Sequence, residues 1–277
     1  SRNKIEIKTN SGSYDLMGKQ KEEFPATPKV DETKNINIQG KVFKKIIDST
    51  LFAVSKDDLK PSLTGVLFSF NTKGITAVAT DGHRLVKVVD QNHKTDSFVG
   101  DIVVPKKFLS YLSTHLSDDD ILLSVGETHM TATINKDTII SRTINEIFPD
   151  YESVIPTDNN KTLKADKNIL LGAIKRVSIF SNKSTHQVAF NISKEKFIIN
   201  TEDPESSSRA KEEIIASYEG EDLTIGYNGE YLKDVINHVS GEEVIIKLNT
   251  PISATLFTDE EKETNKTMIL MPVRLNN

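Results

Sequence analysis

The sequence contains no cysteine, no tryptophan, only nine prolines, and no apolar run approaching the roughly 18 residues that a membrane-spanning helix needs. Each absence removes a class of protein. Without cysteine there can be no disulfide and no thiolate metal site, which suits a cytoplasmic location. The opening SRNKIEIK lacks the apolar centre of a secretory signal, so nothing in it directs the chain to a membrane. The six histidines, at 83, 93, 115, 129, 186 and 238, show no metal-ligand spacing. Neither a Walker loop nor a dinucleotide fingerprint is present, and the expectation is no metal and no cofactor. A general excess of positive charge is missing too. The net charge of −5 argues against binding nucleic acid indiscriminately, because such binding rests on neutralising phosphates with Lys and Arg.

What remains, 277 residues of which 36% are hydrophobic and 27% charged, suits an ordinary soluble protein of about two domains. Internal similarity gives the organisation. The segment EEFPATPKV at Glu22 to Val30 is echoed by NEIFPDYESVIP at Asn145 to Pro156, with the Phe-Pro pairs 124 residues apart. Each follows strand-like sequence and precedes a polar connector, as a domain end would. New units then open at Asn35 and Lys161, 126 residues apart, each with a short strand, an amphipathic helix and further strands. A period this long implies duplicated domains rather than stacked motifs. The expected division is 1–30 as the terminal strands of an incomplete first copy, 31–156 as a second and 157–277 as a third. On this view the chain is a fragment.

Within the first full unit, Phe43, Ile46, Ile47, Thr50 and Val54 recur at helical spacing and predict a helix over Lys41 to Ser55. A second helix is expected over Pro105 to Leu116, burying Phe108, Leu109, Leu112 and Leu116. GVLFSF, GITAVAT, RLVKVV, DIVV and ILLSVG read as strands. The next unit repeats the pattern, with helices from Lys167 to about Ser181 and from Gly229 to Val239, the latter capped by Asn228. Two helices and several strands per unit predict an α+β fold, helices on one face of mainly antiparallel sheets.

The four expected helices, the third counted through Lys183, together carry a charge of +7, leaving −12 for the remainder. Taken singly, a basic helix face is usually just solvated. If equivalent helices share one surface, however, that surface is basic on an otherwise acidic protein and suits phosphate contacts without base reading. The candidate DNA-facing cations are Lys41, Lys44, Lys45, Lys106, Lys107, Lys167, Lys175, Arg176, Lys183 and Lys233.

Two motifs then narrow the field: ATDGHRL at Ala79 to Leu85 and MILMPVRL at Met268 to Leu275. With SGSY, EEFP, FPDY and LKADKNILLGAIKRVSI, they make the chain resemble, over essentially its whole length, the bacterial DNA sliding clamp, the beta subunit of DNA polymerase III. The resemblance implies a non-catalytic, ring-shaped homodimer when full length. Its helices would face duplex DNA without regard to sequence, and its outer surface would bind the replicative polymerase, the clamp loader and repair proteins through short linear motifs. It also implies a peptide cleft formed by Leu63, Thr80, Gly82, His83, Arg84 and Leu85, with Pro149 and Val154 from the domain end. Asn228, Tyr231, Ile252, Ala254, Met271, Pro272, Val273 and Arg274 would line the rest. Where the family often has two basic residues after FPDY, this chain has Glu152 and Ser153.

Two rival expectations belong to other classes. Asp81 and His83, with Arg84, form a candidate acid–base group of a hydrolase, although no nucleophile context accompanies them. A structural module that binds peptides without encircling DNA is the other. In the bland alternative, Asp81 and Gly82 simply make a turn and Arg84 bonds backbone carbonyls.

Overall fold

A computed structural model describes residues 3–28, 30, 33–259 and 265–275. By internal contacts the chain forms two units, residues 1–32 and 33–277. The boundary expected between residues 30 and 31 involves Asp31, which lies outside the described residues.

The first unit is an antiparallel hairpin, β1 (Lys4–Thr9) and β2 (Gly12–Met17), with Ile5 opposite Leu16 and Ile7 opposite Tyr14. These four side chains share one face, because successive residues of a strand point to opposite sides.

The second unit contains the same succession of elements twice. The first pass is β3 (Lys34–Gln39), α1 (Gly40–Thr50), β4 (Gly65–Asn71), β5 (Gly74–Thr80), β6 (Arg84–Asp90), β7 (Gly100–Pro105), α2 (Lys106–His115), β8 (Asp120–Val125), β9 (His129–Ile134) and β10 (Asp137–Arg142). The second is β11 (Lys161–Asp166), α3 (Lys167–Ser178), β12 (Gln187–Ile192), β13 (Phe197–Asp203), β14 (Ser208–Ile214), the short β15 (Ser217–Glu219), β16 (Leu223–Asn228), α4 (Gly229–Asn237), β17 (Glu243–Leu248), β18 (Thr255–Asp259) and β19 (Asn265–Leu270). All pairings among the described strands are antiparallel, giving an α+β architecture of two tandem repeats. No helix among the described residues is long and apolar enough to cross a membrane.

The helices follow the apolar spacing, but all end before their expected limits, α2 at His115 and α4 at Asn237 by one and two residues, α1 and α3 by more. Phe43, Ile46, Ile47 and Thr50 are buried as the periodicity requires, yet α1 stops at Thr50 and a 3-10 turn, Leu51–Ala53, carries the chain onward. The Thr50 hydroxyl donates to the carbonyls of both Ile46 and Ile47 at 3.0 Å, a local bond that competes with continued helix. Likewise α3 ends at Ser178 rather than Ser181, where the Ser181 hydroxyl donates to the Ser178 carbonyl at 2.7 Å. Asn228 caps α4 as expected, its side-chain oxygen accepting from the amides of Glu230 and Tyr231.

Within each repeat the strands form two four-membered ladders, β6-β5-β4-β7 and β10-β9-β8-β3 in the first, and β14-β13-β12-β16 and β11-β17-β18-β19 in the second. The repeats join where β19 pairs with β6 over six residues, Leu270 opposite Arg84 through Asn265 opposite Val89, producing one nine-stranded sheet. Period-2 alternation sorts its side chains. Val86, Met268 and Leu270 enter the main core under the helices, whereas Leu85 and Ile269 join Leu67, Val78 and Val103 in a smaller cluster on the opposite face. That outer cluster is covered by Phe148, Tyr151, Ile155, Ala254 and Leu256.

On the helix face, α1 and α2 pack together and α3 packs on α4, with α1 lying over β6 and α4 over β19. The Phe52 ring, just beyond α1, stacks on His238 at the end of α4, centroids 3.9 Å apart. Both helix pairs therefore meet on one side of the seam. Burial pushes the His238 imidazole below its ordinary value, opposed by the Asp234 carbonyl and carboxylate and reinforced by Lys266 and Arg84. A histidine held neutral in the folded state leaves the unfolded chain binding more protons as pH drops below about 6.5, so folding stability must fall there. We expect the urea midpoint to drop between about pH 7.5 and pH 5.5, and His238→Gln to flatten that dependence. An unchanged pH slope in the variant would assign it to other groups.

Candidate functional site

The ATDGHRL segment forms the end of β5, a tight turn and the start of β6. Gly82 has φ +88°, in the left-handed region, and an added Cβ there would meet nothing within 4 Å. Backbone conformation rather than space calls for glycine. The Thr80 hydroxyl donates to the Arg84 carbonyl at 2.7 Å and accepts the Gly82 amide at 3.1 Å. Asp81 Oδ1 accepts the amides of His83 and Arg84 at 2.9 and 3.0 Å. The His83 ring, meanwhile, stacks on Tyr231, centroids 5.6 Å apart. The Asp81 carboxylate thus closes the turn, and nothing in this arrangement makes an acid–base dyad with His83.

Arg84 departs from the expectation that it bonds backbone carbonyls. Its guanidinium bonds carboxylates rather than backbone carbonyls: Nε donates to Asp81 Oδ2 at 3.1 Å, and a terminal nitrogen donates to Asp234 Oδ2, on α4 of the other repeat, at 2.5 Å. The cation lies 4.6 Å from the Tyr231 ring centroid and 5.5 Å from that of Phe52, with the side chain only 8% exposed. Register explains the direction. Arg84 shares parity on β6 with Val86, which points toward the helices, and Leu85 has the parity of the outer face. Arg84 is therefore a strut between repeats. Its partners Asp234 and Phe52 are not evident from sequence, since neither lies in a motif.

The remaining cleft candidates separate by location. On the outer face, Leu85 is buried and Ala254 half-buried over the outer cluster, while Pro149, Val154 at 51% and Ile252 at 69% exposure stand free at the surface. Leu63 is buried in a 3-10 turn, where its carbonyl accepts the Ser55 amide. At the end of the seam, the chain after β19 links both repeats: the Met271 amide donates to the His83 carbonyl at 2.8 Å and the Val273 amide to the Gly226 carbonyl at 2.9 Å. Gln187 holds the Arg274 carbonyl at 3.2 Å. Met271 is 40% exposed, and Pro272 and Val273 are half-buried. A Cβ on Gly226 would lie 2.7 Å from both the Val273 carbonyl and Leu275, so only glycine lets the tail close on β16. Asn228 spends its side-chain oxygen on the α4 cap. Glu152, which with Ser153 follows FPDY in place of the basic residues frequent in the resembled family, accepts Lys87 Nζ at 2.5 Å, with Lys87 Nζ 5.4 Å from the ring centroid of Tyr151, which packs on the outer cluster.

The ten candidate DNA-facing cations also divide. Lys44 donates to the carbonyl and hydroxyl of Ser113, Lys167 to the carbonyls of Asn237 and Val239, Arg176 grips Glu212 at 2.8 and 2.7 Å, and Lys233 pairs with Glu230 at 2.6 Å. Lys106 is half-buried, and burial, then Lys56 and Arg84, lowers its pKa. Lys41, Lys45, Lys107, Lys175 and Lys183 extend into solvent. Long cations of the second kind are the ones able to track a phosphate.

Removing the strut should be costly, because Asp81, with its side chain 12% exposed, loses its counter-charge. We expect Arg84→Ala to destabilise the fold by about 2–3 kcal/mol in urea unfolding, below the usual range for a buried pair because Asp234 is half exposed. Arg84→Lys, without a fork to span both carboxylates, should restore less than half. A midpoint unaffected by Arg84→Ala would rule out the strut.

Comparison with known proteins agrees with this architecture. Residues 37–150 match the model of the DNA polymerase III beta subunit central domain, and residues 152–274 that of its C-terminal domain. The beta sliding clamp of Pseudomonas putida is 28% identical over 274 residues, covering 98% of this chain and 74% of the relative. That of Chlamydia muridarum is 28% identical over 272 residues, covering 98% and 73%. Among solved structures, the DNA polymerase III beta subunit of Pseudomonas aeruginosa superposes with a TM-score of 0.90 at 28% identity, covering 99% of this chain and 76% of that one. The Bacillus subtilis sliding clamp gives 0.88 at 26% identity, covering 99% and 73%. With both repeats matched by consecutive domains of one subunit, and the fold by its structures, the chain belongs to the DNA polymerase III beta subunit family, the beta sliding clamps.

Proposed function

We propose that the chain works as a sliding clamp, holding duplex DNA within a ring without reading its sequence and recruiting replication and repair proteins on the outer face of the seam. The beta subunit is a non-catalytic subunit of DNA polymerase III, so the fold has to supply a closure and two surfaces rather than a reaction. In this proposal residues 31–156 and 157–277 are the two clamp domains, and the protein acts in the cytoplasm, where the chromosome is.

The β6–β19 seam is the observation that carries the proposal. It joins one repeat to the next by sheet continuation, and among the described strands it leaves β14, the equivalent of β6, and β10, the equivalent of β19, at sheet edges. A ladder of the same kind between an edge like β14 and an edge like β10 of another molecule is head-to-tail, the geometry that closes rings. Beside β14, α3 and the following turn expose Ile169, Ile179 and Phe180 at 52%, 77% and 45%, and Arg176 on the same helix grips Glu212 of β14. Apolar side chains next to an unpaired edge are what such an interface buries.

Exposed lysines on the helix side suit weak, salt-sensitive phosphate contact, as a protein that must slide requires. On the other side, Val154, Ile252 and Met271 are exposed apolar side chains and Ala254 packs on the cluster that holds Leu85, groups that would together form an apolar seat for leucine and aromatic side chains of a short peptide. The tail that borders it is held by only a few backbone bonds.

The decisive experiment is a titration of a fluorescent Gln-x-x-Leu-Phe peptide against the intact chain and a variant lacking residues 271–275. We expect the deletion to weaken binding at least about tenfold, equivalent to about 1.4 kcal/mol, with both domains still folded. Equal affinities, or no binding to the intact chain, would reject the cleft. For DNA, replacing Lys41, Lys45, Lys107, Lys175 and Lys183 by Gln should shorten retention of the assembled ring on nicked circles at low salt. Peptide binding with no topological retention on circles in any assembly would instead favour an interaction module.

A further inference from the structure

Beyond the seam, the outer face carries a second concavity. Residues 143–151 leave β10, and the Ile144 amide donates to the Val103 carbonyl at 2.8 Å, bridging to the edge strand β7. Past that single bridge the connector lifts away and encloses a groove of about 500 Å³. Leu67 and Val103 belong to its sheet wall, and Ile144, Ile147 and Phe148 to its connector wall. Ile147 is 93% exposed, an arrangement that packing within this chain does not account for.

The polar lining is of one sign. Asp101, Glu127, Glu146 and Asp150 border the groove, all exposed, and among the described residues no Lys, Arg or His lines it. The neighbouring Lys87 is already bonded to Glu152. Tyr151 responds to this field: burial first, then Glu152, Asp101 and Asp150, push its phenol up to about 12.

An acidic outer surface would serve merely to repel DNA, and the equivalent concavity of the second repeat is also bordered by carboxylates, Glu202, Asp203 and Glu205, but its apolar lining is reduced to Ala189, Pro204 and Leu275. Strand register pairs Leu67 with Val103 and Ser69 with Asp101 in the first repeat, and Ala189 with Gly226 and Asn191 with Thr224 at the equivalent places in the second. The bridge from Ile144 to Val103 has its counterpart in the bridge from Val273 to Gly226. The apolar bulk of Leu67 and Val103 and the Asp101 carboxylate in the first repeat thus correspond to Ala189, Gly226 and Thr224 in the second, so what sets the first groove apart is apolar walls beside its carboxylates. The groove also shares its floor with the proposed cleft, since Leu67, Val103, Leu85 and Ile269 form one cluster with Phe148 and Ala254 packed on it.

We propose that this groove is a second docking site on the clamp, for an extended segment of a partner protein in which Lys or Arg alternates with apolar residues. The apolar side chains would cover Ile147 and Phe148, and the cations would meet the four carboxylates. The open edge of β7 beyond Val103 offers backbone groups to an extended chain. The site is a different one from the peptide cleft, centred on Ile147 and the four carboxylates, and adjoins it at Pro149.

A capped peptide alternating leucine and lysine, and its leucine–glutamate counterpart, provide the test. Binding to the full chain is followed by fluorescence anisotropy and by isoleucine methyl NMR. The lysine peptide should bind and move the Ile144 and Ile147 methyl signals, the glutamate peptide should not, and added salt should weaken the complex. Glu146→Gln/Asp150→Asn should lower its affinity at least about fivefold, through lost charge complementarity. Asp101 is left intact in that variant because it accepts the Ser69 hydroxyl at 2.5 Å. Ile147→Ser, at a fully solvated position, should lower affinity comparably without affecting the fold. Affinity unchanged in both variants, shifts scattered over the acidic surface, or displacement of the lysine peptide by the Gln-x-x-Leu-Phe peptide would each overturn the proposal. Binding of the lysine peptide at Ile147 with none of the Gln-x-x-Leu-Phe peptide anywhere would support this groove and reject the cleft alone.

Discussion

The antiparallel ladder between β6 and β19 is the constraint on which the rest of the second unit depends. Six residue pairs put the two repeats into one sheet, and a sheet has two sides whose residues alternate strictly. Slipping the register by one residue would send Val86 and Met268 outward and bring Leu85 and Ile269 beneath the helices. Full burial of each such side chain is worth about 1.5–3 kcal/mol, so the register is strongly specified. Arg84, at the end of the ladder, adds a polar check, since its guanidinium reaches Asp234 of α4 only when β6 pairs in this alignment with β19, the strand beneath α4.

This alternation separates the two surfaces that a clamp needs. One side carries the helices, the Phe52–His238 stack and the lysines, and the other carries the outer apolar cluster with its covering connector. The cations are not equivalent. Lys44 and Lys167 tie helices to their neighbours through carbonyls and hydroxyls, and Lys266 reaches the His238 carbonyl and Asp259, where burial lowers its pKa. Those groups hold the helix layer together, leaving the solvated lysines to provide the long-range field.

Much of this architecture is legible in residue order. The helical spacing of Phe43, Ile46 and Ile47, the Asn228 cap and the duplicated order of elements are local signals, and the elements form where they point. Local chemistry also explains the shortened helix ends, because a Thr50 or Ser181 hydroxyl that bonds a preceding carbonyl is invisible to apolar periodicity. Arg84 differs from expectation for another reason. Its motif is recognisable, but the direction of its side chain follows from pairing with a strand about 180 residues later in the chain and from a carboxylate on α4.

By itself, then, the sequence determined the composition of each element, the α+β class, the duplication and the clamp resemblance, since all of these reside in residue order and short-range spacing. Only the tertiary structure decided which face of the joined sheet each residue occupies, which lysines are bonded and which are solvated, and that Ile147 stands over a carboxylate-lined groove. Those outcomes depend on residues far apart in sequence being brought within a few ångströms, and no local pattern encodes such distances.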